Sequence, residues 1–374
     1  MHSKVALGLL RGVGLALRWP AFQAFRHLGA PVLSPMAMSF VVTDRCNSRC
    51  QTCNIGARYL DDPRVAEGEL SLAEYLSLAR SLPELQWVTF SGGEPFMRKD
   101  FEQILGAVVR AAAPRVVTIP TNATLVERTT AGIRTILKGL GDTRLGVNLS
   151  CDGVGAVHDS VRGFEGNFEK LLHVHRELVA LRDERLTIGV NSVLSRHNVS
   201  SSEELFDFVF EVLRPDSYVV EIAQQRPEYY NEGQDLRGET QALADGLQSF
   251  VARARRHRAP GIPRFVRAFR TQYYAAAARG LWQAPAHRCY AGFATCTVMP
   301  KGDVWSNTAR ADNMGNVRDF ALDFPALWRG PRAQQVRKLV RGELCTCELS
   351  NTAYINSLLS WSTLPRLAAN YALG

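Results

Sequence analysis

The 374-residue chain has no run of about 18 or more consecutive apolar residues, the minimum for a membrane-crossing helix, which excludes a polytopic membrane protein. Low-complexity tracts are also missing. Gly (29) and Pro (17) are dispersed among 46% hydrophobic residues, which excludes a disordered or collagen-like chain and leaves material for a sizeable core. No small-residue cleavage site follows the apolar N-terminal stretch, so a secretory signal is not expected. Aromatic and basic residues are not interleaved as in grooves for single-stranded nucleic acid. A net charge of +8 selects no acidic partner by itself, and no nucleic acid is expected. Eight cysteines are present, and in a large chain without a secretory signal clustered thiols more often bind metal or do redox chemistry than form disulfides.

Residues 1–36 read as a basic and apolar helical appendage carrying Lys4, Arg11, Arg18 and Arg26, punctuated by Pro20 and Pro31. One reading is an amphipathic helix on a membrane surface. The other is a helix packed on the domain. Residues 37–238 alternate short β-branched runs with helix-like segments. The runs are Ser39–Thr43, Trp87–Phe90, Val116–Pro120, Leu145–Ser150, Thr187–Leu194 and Tyr218–Ile222. Strand and helix in alternation predict parallel strands joined by crossover helices, in an open barrel or a doubly wound sheet. Residues 239–288 read as a helical linker. A hairpin around Pro300-Lys301-Gly302-Asp303 predicts a small second module over 289–351, and 352–374 read as a helical tail.

The chemistry concentrates after the first predicted strand, in Cys46-Asn-Ser-Arg-Cys50-Gln-Thr-Cys53. Three thiolates at spacings of four and three can converge on one centre. No fourth Cys or His stands nearby, as a structural zinc would need. An iron–sulfur cubane held by three cysteines leaves one iron open to an outside ligand.

This spacing resembles the radical S-adenosylmethionine (SAM) enzymes, and so does Ser91-Gly92-Gly93-Glu94-Pro95 after the second strand. Later strand ends agree: Thr121-Asn122-Ala123-Thr124, where Ala123 replaces the usual glycine; Ser150-Cys151-Asp152-Gly153; His158-Asp159 with Arg162-Gly163; and Asn191 on the fifth strand. Nearly all fall at the carboxyl ends of strands, where barrel enzymes place their sites. The resemblance implies an α/β fold, a partial (β/α)6 TIM-type barrel followed by a small SPASM/twitch-like module. It implies a 4Fe–4S cluster on Cys46, Cys50 and Cys53 with SAM on the open iron. Gly92, Gly93, Glu94 and Pro95 would hold the methionine end of SAM, Glu94 taking its ammonium. Asn122, Ser150, Asp152, Arg162 and Asn191 would make the remaining cofactor contacts.

In the second module, Cys289, Cys296, Cys345 and Cys347 are candidates for a second 4Fe–4S cluster, but Asn307 and Asn351 stand where the resemblance expects cysteines. Three readings stay open: a rearranged four-thiolate cluster, an incomplete one with another ligand, or a module that has lost its cluster and serves as a lid.

The activity implied is reductive cleavage of SAM to a 5′-deoxyadenosyl radical. That radical takes hydrogen from an unactivated carbon of a lipid-like, sugar or nucleoside, or peptide substrate. The basic N-terminus and apolar tail tilt the expectation toward a lipid-like substrate. Glu221, Gln224, Gln225, Arg226, Tyr229 and Tyr230 are the candidate substrate contacts. The expected partner is an electron donor such as flavodoxin or ferredoxin. The expected location is cytoplasmic, with peripheral membrane contact through residues 1–36 under the first reading of that segment. The alternative is a non-catalytic electron-transfer or assembly protein, which would have no use for an intact Gly-Gly-Glu-Pro turn.

Overall fold

The structure, a computed structural model, describes all residues except 1–17, 258–263, 283–286, 343, 346–349, 362 and 374. Helix α1 covers 18–28. The strands β1 (Ala37–Val41), β2 (Trp87–Ser91), β3 (Val116–Thr121), β4 (Arg144–Ser150), β5 (Leu186–Leu194) and β6 (Ser217–Ile222) pair in sequence order, every pair parallel. Parallel neighbours need a crossover. These are α2 (Ile55–Asp61) with α3 (Leu72–Ser81), then α4 (Phe101–Ala112), α5 (Val126–Gly139), α6 (Ala156–Arg162) with α7 (Asn167–Ala180), and α8 (Ser202–Phe208). Helix α4 illustrates why they cover the sheet: Phe101, Ile104, Leu105, Val108 and Ala112 recur on one face and are buried.

Strand alternation divides the sheet into two faces. Met38 and Phe40, Val88 and Phe90, and Val117 and Ile119 are fully buried in the apolar core. Their neighbours Ser39, Thr89 and Thr118 stand in register across β1, β2 and β3 and line an internal cavity. The apolar face therefore meets the helices, and the polar face turns into the barrel.

The C-terminal third adds strands to the barrel sheet. After α9 (Thr240–Arg256) and α10 (Arg264–Leu281) come β7 (His287–Arg288), β8 (Thr295–Val298), β9 (Asp303–Trp305) and β10 (Asn313–Asn316). Strand β8 pairs parallel with β1, and the hairpin β8–β9 and strand β10 continue the same nine-stranded sheet, in the order β10-β9-β8-β1-β2-β3-β4-β5-β6. Strands β8, β9 and β10 are thus an extension of the barrel sheet. The unpaired edge of β1 supplies the reason, since its N–H and C=O groups need a partner. Helices α11 (Phe324–Arg329) and α12 (Pro331–Gly342), strand β11 (Leu344–Cys345, paired with β7), α13 (Ser350–Leu359) and α14 (Leu364–Leu373) complete the described fold. No helix among the described residues is long and apolar enough to cross a membrane.

The described part of the N-terminal segment takes the second of its two readings, a helix packed on the domain. Phe22 and Phe25 of α1 lie in the core, and the buried Arg26 donates to the carbonyls of Cys289 (2.9 Å) and Arg341 (3.1 Å). Gln23 accepts from the Tyr290 hydroxyl at 2.9 Å. The described part of residues 1–36 is therefore a core helix rather than a membrane-facing one; residues 1–17 lie outside the described residues.

One salt link ties the barrel to its extension. Ser71 and Glu74 form a capping box at the start of α3. The same Glu74 carboxylate accepts from Arg318 at 2.6 and 3.1 Å. Arg318 first, and then the Ser71 groups, hold the Glu74 carboxyl down at about 2. Its folded value lies below the ordinary 4.5, so this contribution is present above about pH 4.5 and is lost as pH falls toward 2. Glu74→Ala is expected to cost about 1–2 kcal/mol near neutral pH, mostly from the lost cap, because the partly exposed ion pair itself is weak. Urea midpoints of the two proteins should converge as pH is lowered below 4; a constant gap would sink this account.

Candidate active site

The loop from β1 to α2 carries Cys46, Cys50 and Cys53, all free thiols. All three line one cavity of about 300 Å³ inside the barrel. Neighbouring strand ends fasten the loop. The Gln51 N–H donates to the Val161 carbonyl (2.9 Å) and the Asn54 N–H to that of Tyr229 (2.8 Å). Asn231, fully buried, donates to the Thr52 carbonyl at 2.7 Å. Asn122 reaches Asn47 (3.0 Å), Ser48 (3.1 Å) and the Cys46 sulfur (3.9 Å).

Among the described residues no three His, Cys, Asp or Glu side chains are placed to hold a single metal ion. Three unbridged thiols around open space suit a multi-iron cluster, whose bulk would fill the gap. A second observation fits. Arg162 lines the same cavity and its buried Nε has no partner, leaving a cationic donor beside Cys50 and Cys46. Burial pushes the Cys46 thiol up to about 12 and raises Cys50 and Cys53 as well. Loading a cluster would therefore release protons from all three.

Gly92 and Gly93 line the cavity too. A Cβ on Gly92 would lie 2.7 Å from the Thr43 carbonyl oxygen, and one on Gly93 would lie 2.3 Å from that of Arg45 and 2.7 Å from Cβ of Cys46. Only glycine lets the turn after β2 press against the cysteine loop. Glu94 and Pro95 do not line the cavity. The Glu94 carboxylate is turned inward, accepting from the Phe96 N–H (3.1 Å), the Asn122 N–H (2.7 Å) and the Thr121 hydroxyl (3.0 Å to each oxygen). Burial raises it to about 7. These three donors tie β2 to β3 through Glu94 and occupy most of the roughly four acceptor sites of its carboxylate.

The other expected cofactor contacts converge. Asn122, Ser150, Asp152, Arg162 and Asn191 line the cavity, with Ser150 and Asn191 in register on β4 and β5. Asp152 accepts from Arg162 (3.1 Å) and from the Val193 N–H (2.7 Å). The His158-Asp159 turn braces this pair. Asp159 accepts the N–H groups of Gly166 and Phe168, fastening the start of α7. His158 Nδ1 accepts from the Asp152 N–H at 3.1 Å, which assigns its proton to Nε2, facing Asn167 Oδ1 at 3.1 Å. Asn198 donates to the Asp152 carbonyl at 2.8 Å. Asn198 and Asn231 escaped the sequence reading because an Asn in a loop looks like any turn residue. Ala123, in place of the usual glycine, adopts a left-handed φ of 59°.

Burial depresses His158 to about 4. The unfolded chain would bind a proton near pH 6.5 that the folded site refuses. Stability is then full above about 6.5 and is lost as pH falls toward 4, by about 3 kcal/mol in all. Urea midpoints of the Cys46/Cys50/Cys53→Ala protein should drop between pH 7 and 5, and His158→Gln should flatten that drop. An equally steep drop in the variant would assign it to another group.

Of the expected substrate contacts, Glu221, Gln224, Arg226 and Tyr229 line the cavity. Gln225 is bonded away to the Gln234 carbonyl (2.7 Å), and Tyr230 lies under Arg58 (3.5 Å from the ring centre). The second set of cysteines is not assembled by the described residues. Cys289 is buried before β8, and Cys296 on β8 pairs with Met38 beside Arg337. The Cys345 side chain and all of Cys347 lie outside the described residues.

Residues 40–209 match the Radical SAM superfamily. The chain is 34% identical over 172 residues to an Fe-coproporphyrin III synthase of Methanosarcina barkeri, covering 46% of this chain and 40% of that protein. It is 30% identical over 181 residues to an AdoMet-dependent heme synthase of Nitratidesulfovibrio vulgaris, covering 48% and 45%. The chain therefore spans less than half the length of these curated relatives. The solved structure of native anSMEcpe with bound AdoMet and Kp18Cys peptide superposes with a TM-score of 0.61 at 14% identity, covering 91% of this chain and 100% of that one. At that identity the likeness speaks for the fold alone. The sequence match to the Radical SAM superfamily thus runs along the strands whose ends carry the three cysteines and the glycine turn.

Proposed function

We propose that this chain is a radical SAM enzyme acting on a haem-related tetrapyrrole. The observation that carries the first half is the gathering of Cys46, Cys50, Cys53, Gly92, Gly93 and the polar ends of β4 and β5 around one cavity. When bound and reduced, the cluster with SAM supplies hydrogen-atom abstraction from an unactivated carbon. The chain does the rest. Cys46, Cys50 and Cys53 hold the cluster, and Arg162 offsets its negative charge. The close turn at Gly92-Gly93 and the side chains of Asn122, Ser150, Asp152 and Asn191 orient SAM. Walls from β6 and β8 keep water out while the substrate is held. A small electron-transfer protein such as flavodoxin or ferredoxin would supply the electron.

The curated relatives support the second half: an Fe-coproporphyrin III synthase, heme synthases and a pre-heme d1 synthase, each matched over somewhat less than half of this chain or close to it. The lipid-like substrate favoured by the sequence loses one of its two supports, since the described part of the N-terminal segment packs in the core. In the test, anaerobically reconstituted protein with dithionite and SAM should release 5′-deoxyadenosine, and added iron-coproporphyrin III should bind and raise that release. No 5′-deoxyadenosine from cluster-loaded protein would sink the enzyme reading; release that no tetrapyrrole binds to or alters would sink the substrate reading.

A further inference from the structure

We infer that the side of the molecule built by α10 and α14 docks on an anionic membrane surface, its exposed tryptophans seated among the headgroups and its arginines paired with their phosphates. Trp282, Trp361 and Arg366 do not line the cavity, so this docking stands apart from the choice of substrate.

Charge is divided unevenly along the chain. No acidic residue precedes Asp44, none lies between Asp245 and Asp303, and none follows Glu348. These three stretches carry 15 of the 44 lysines and arginines. The net charge of +8 therefore resides in them, and the rest of the chain is net negative. Folding gathers their helices. Trp19 of α1 donates its Nε1–H to the Leu358 carbonyl of α13 at 3.2 Å. The Phe269 and Tyr273 rings of α10 meet the Tyr354 ring of α13 edge-on, and α14 packs along α10. None of these four helices holds an acidic residue.

The outer face of this group is short of charge where a solvated helix face ordinarily carries it. The exposed side chains described on α10 are Thr271, Ala275 and Ala278, and Trp282, 61% exposed, continues the same face just past the helix. Trp361, 65% exposed, precedes α14, with its ring edge-on to Trp19 at 3.9 Å. Burial first, and then the nearby Arg366 charge, lower the Arg279 guanidinium from its ordinary value. Arg279 belongs to the last turn of α10 and Arg366 to the first turn of α14, so the two helices run antiparallel and bring Trp282 and Trp361 to the same end.

Exposed apolar surface rimmed by charge marks a protein or membrane contact. A second copy of the chain is a poor occupant. A two-fold contact lays the surface on itself, which sets arginine against arginine with no carboxylate on these helices to offset them. Anionic lipid supplies both missing partners. Tryptophan settles at the headgroup level of a bilayer, and arginine beside it meets the negative surface there.

Sedimentation of the full chain with vesicles tests this, using phosphatidylcholine alone and phosphatidylcholine mixed with anionic phosphatidylglycerol. The wild type is expected to bind the mixed vesicles at least about tenfold more tightly and to release them at about 1 M salt, where the Debye length falls to about 3 Å. The Trp282→Ser/Trp361→Ser protein and Arg366→Glu should each bind at least about fivefold more weakly, with SAM cleavage unchanged. Arg366 is exposed, so Arg366→Glu decides the matter if the tryptophan pair variant does not fold. No binding of the wild type to mixed vesicles overturns the inference and leaves the face to a protein partner. Equal binding to neutral vesicles overturns it, as does unchanged binding by Arg366→Glu or by a folded tryptophan pair variant.

Discussion

Cys53→Ala is expected to cut SAM cleavage by more than about 100-fold and to remove most of the protein's iron. Even the loss of an outer partner of a metal ligand costs about 10–100-fold, and Cys53 would be a ligand itself. Another thiol of the barrel, Cys151, is fully buried and donates to the Gly153 carbonyl at 3.5 Å. It does not line the cavity, so Cys151→Ala should keep its iron and its activity. The pair of variants separates ligation from a general sensitivity of the barrel to cysteine loss. Iron analysis and chromatography of 5′-deoxyadenosine read both. A Cys53→Ala protein that cleaved SAM at the wild-type rate would overturn the ligand set.

Deleting residues 1–36 is expected to leave a protein that does not fold, though the sequence alone left room for a dispensable membrane anchor. Phe22 and Phe25 are buried in the core, packed with residues of the C-terminal third; the Phe25 ring meets Phe293 edge-on at 5.1 Å. Truncating one buried Phe costs about 3–5 kcal/mol, and a domain's whole net stability is about 5–15 kcal/mol. Losing both, with the Arg26 bonds to the Cys289 and Arg341 carbonyls, consumes that margin. Circular dichroism melting of purified protein is the measurement. A truncated chain melting within a few degrees of the full chain would return α1 to the status of an appendage. Phe25→Ala offers the milder version, with a fall of about 3–5 kcal/mol in unfolding free energy.

Much of the barrel and its site was readable from residue order. Strand alternation and helical spacing are local, so the six parallel strands and their crossovers follow from the pattern itself. Cys46, Cys50 and Cys53 share a short loop, and Gly92, Asn122, Ser150 and Asn191 follow or end strands whose carboxyl ends must gather in a parallel barrel. Their convergence on one cavity was therefore fixed once the strands were placed. What the tertiary structure alone decided depends on partners distant in sequence. The pairing of β8 with β1 joins residues some 260 positions apart, and no local period announces it. Helix α1 has the same composition whether it faces lipid or protein; only the core offered by the C-terminal third makes burial of Phe22 and Phe25 the lower free energy. Glu94 turns inward because Thr121 and Asn122, one strand away, present the donors its charge needs. Asn307 reads as a missing ligand in sequence, while in space its side-chain oxygen is taken by the backbone of Arg310.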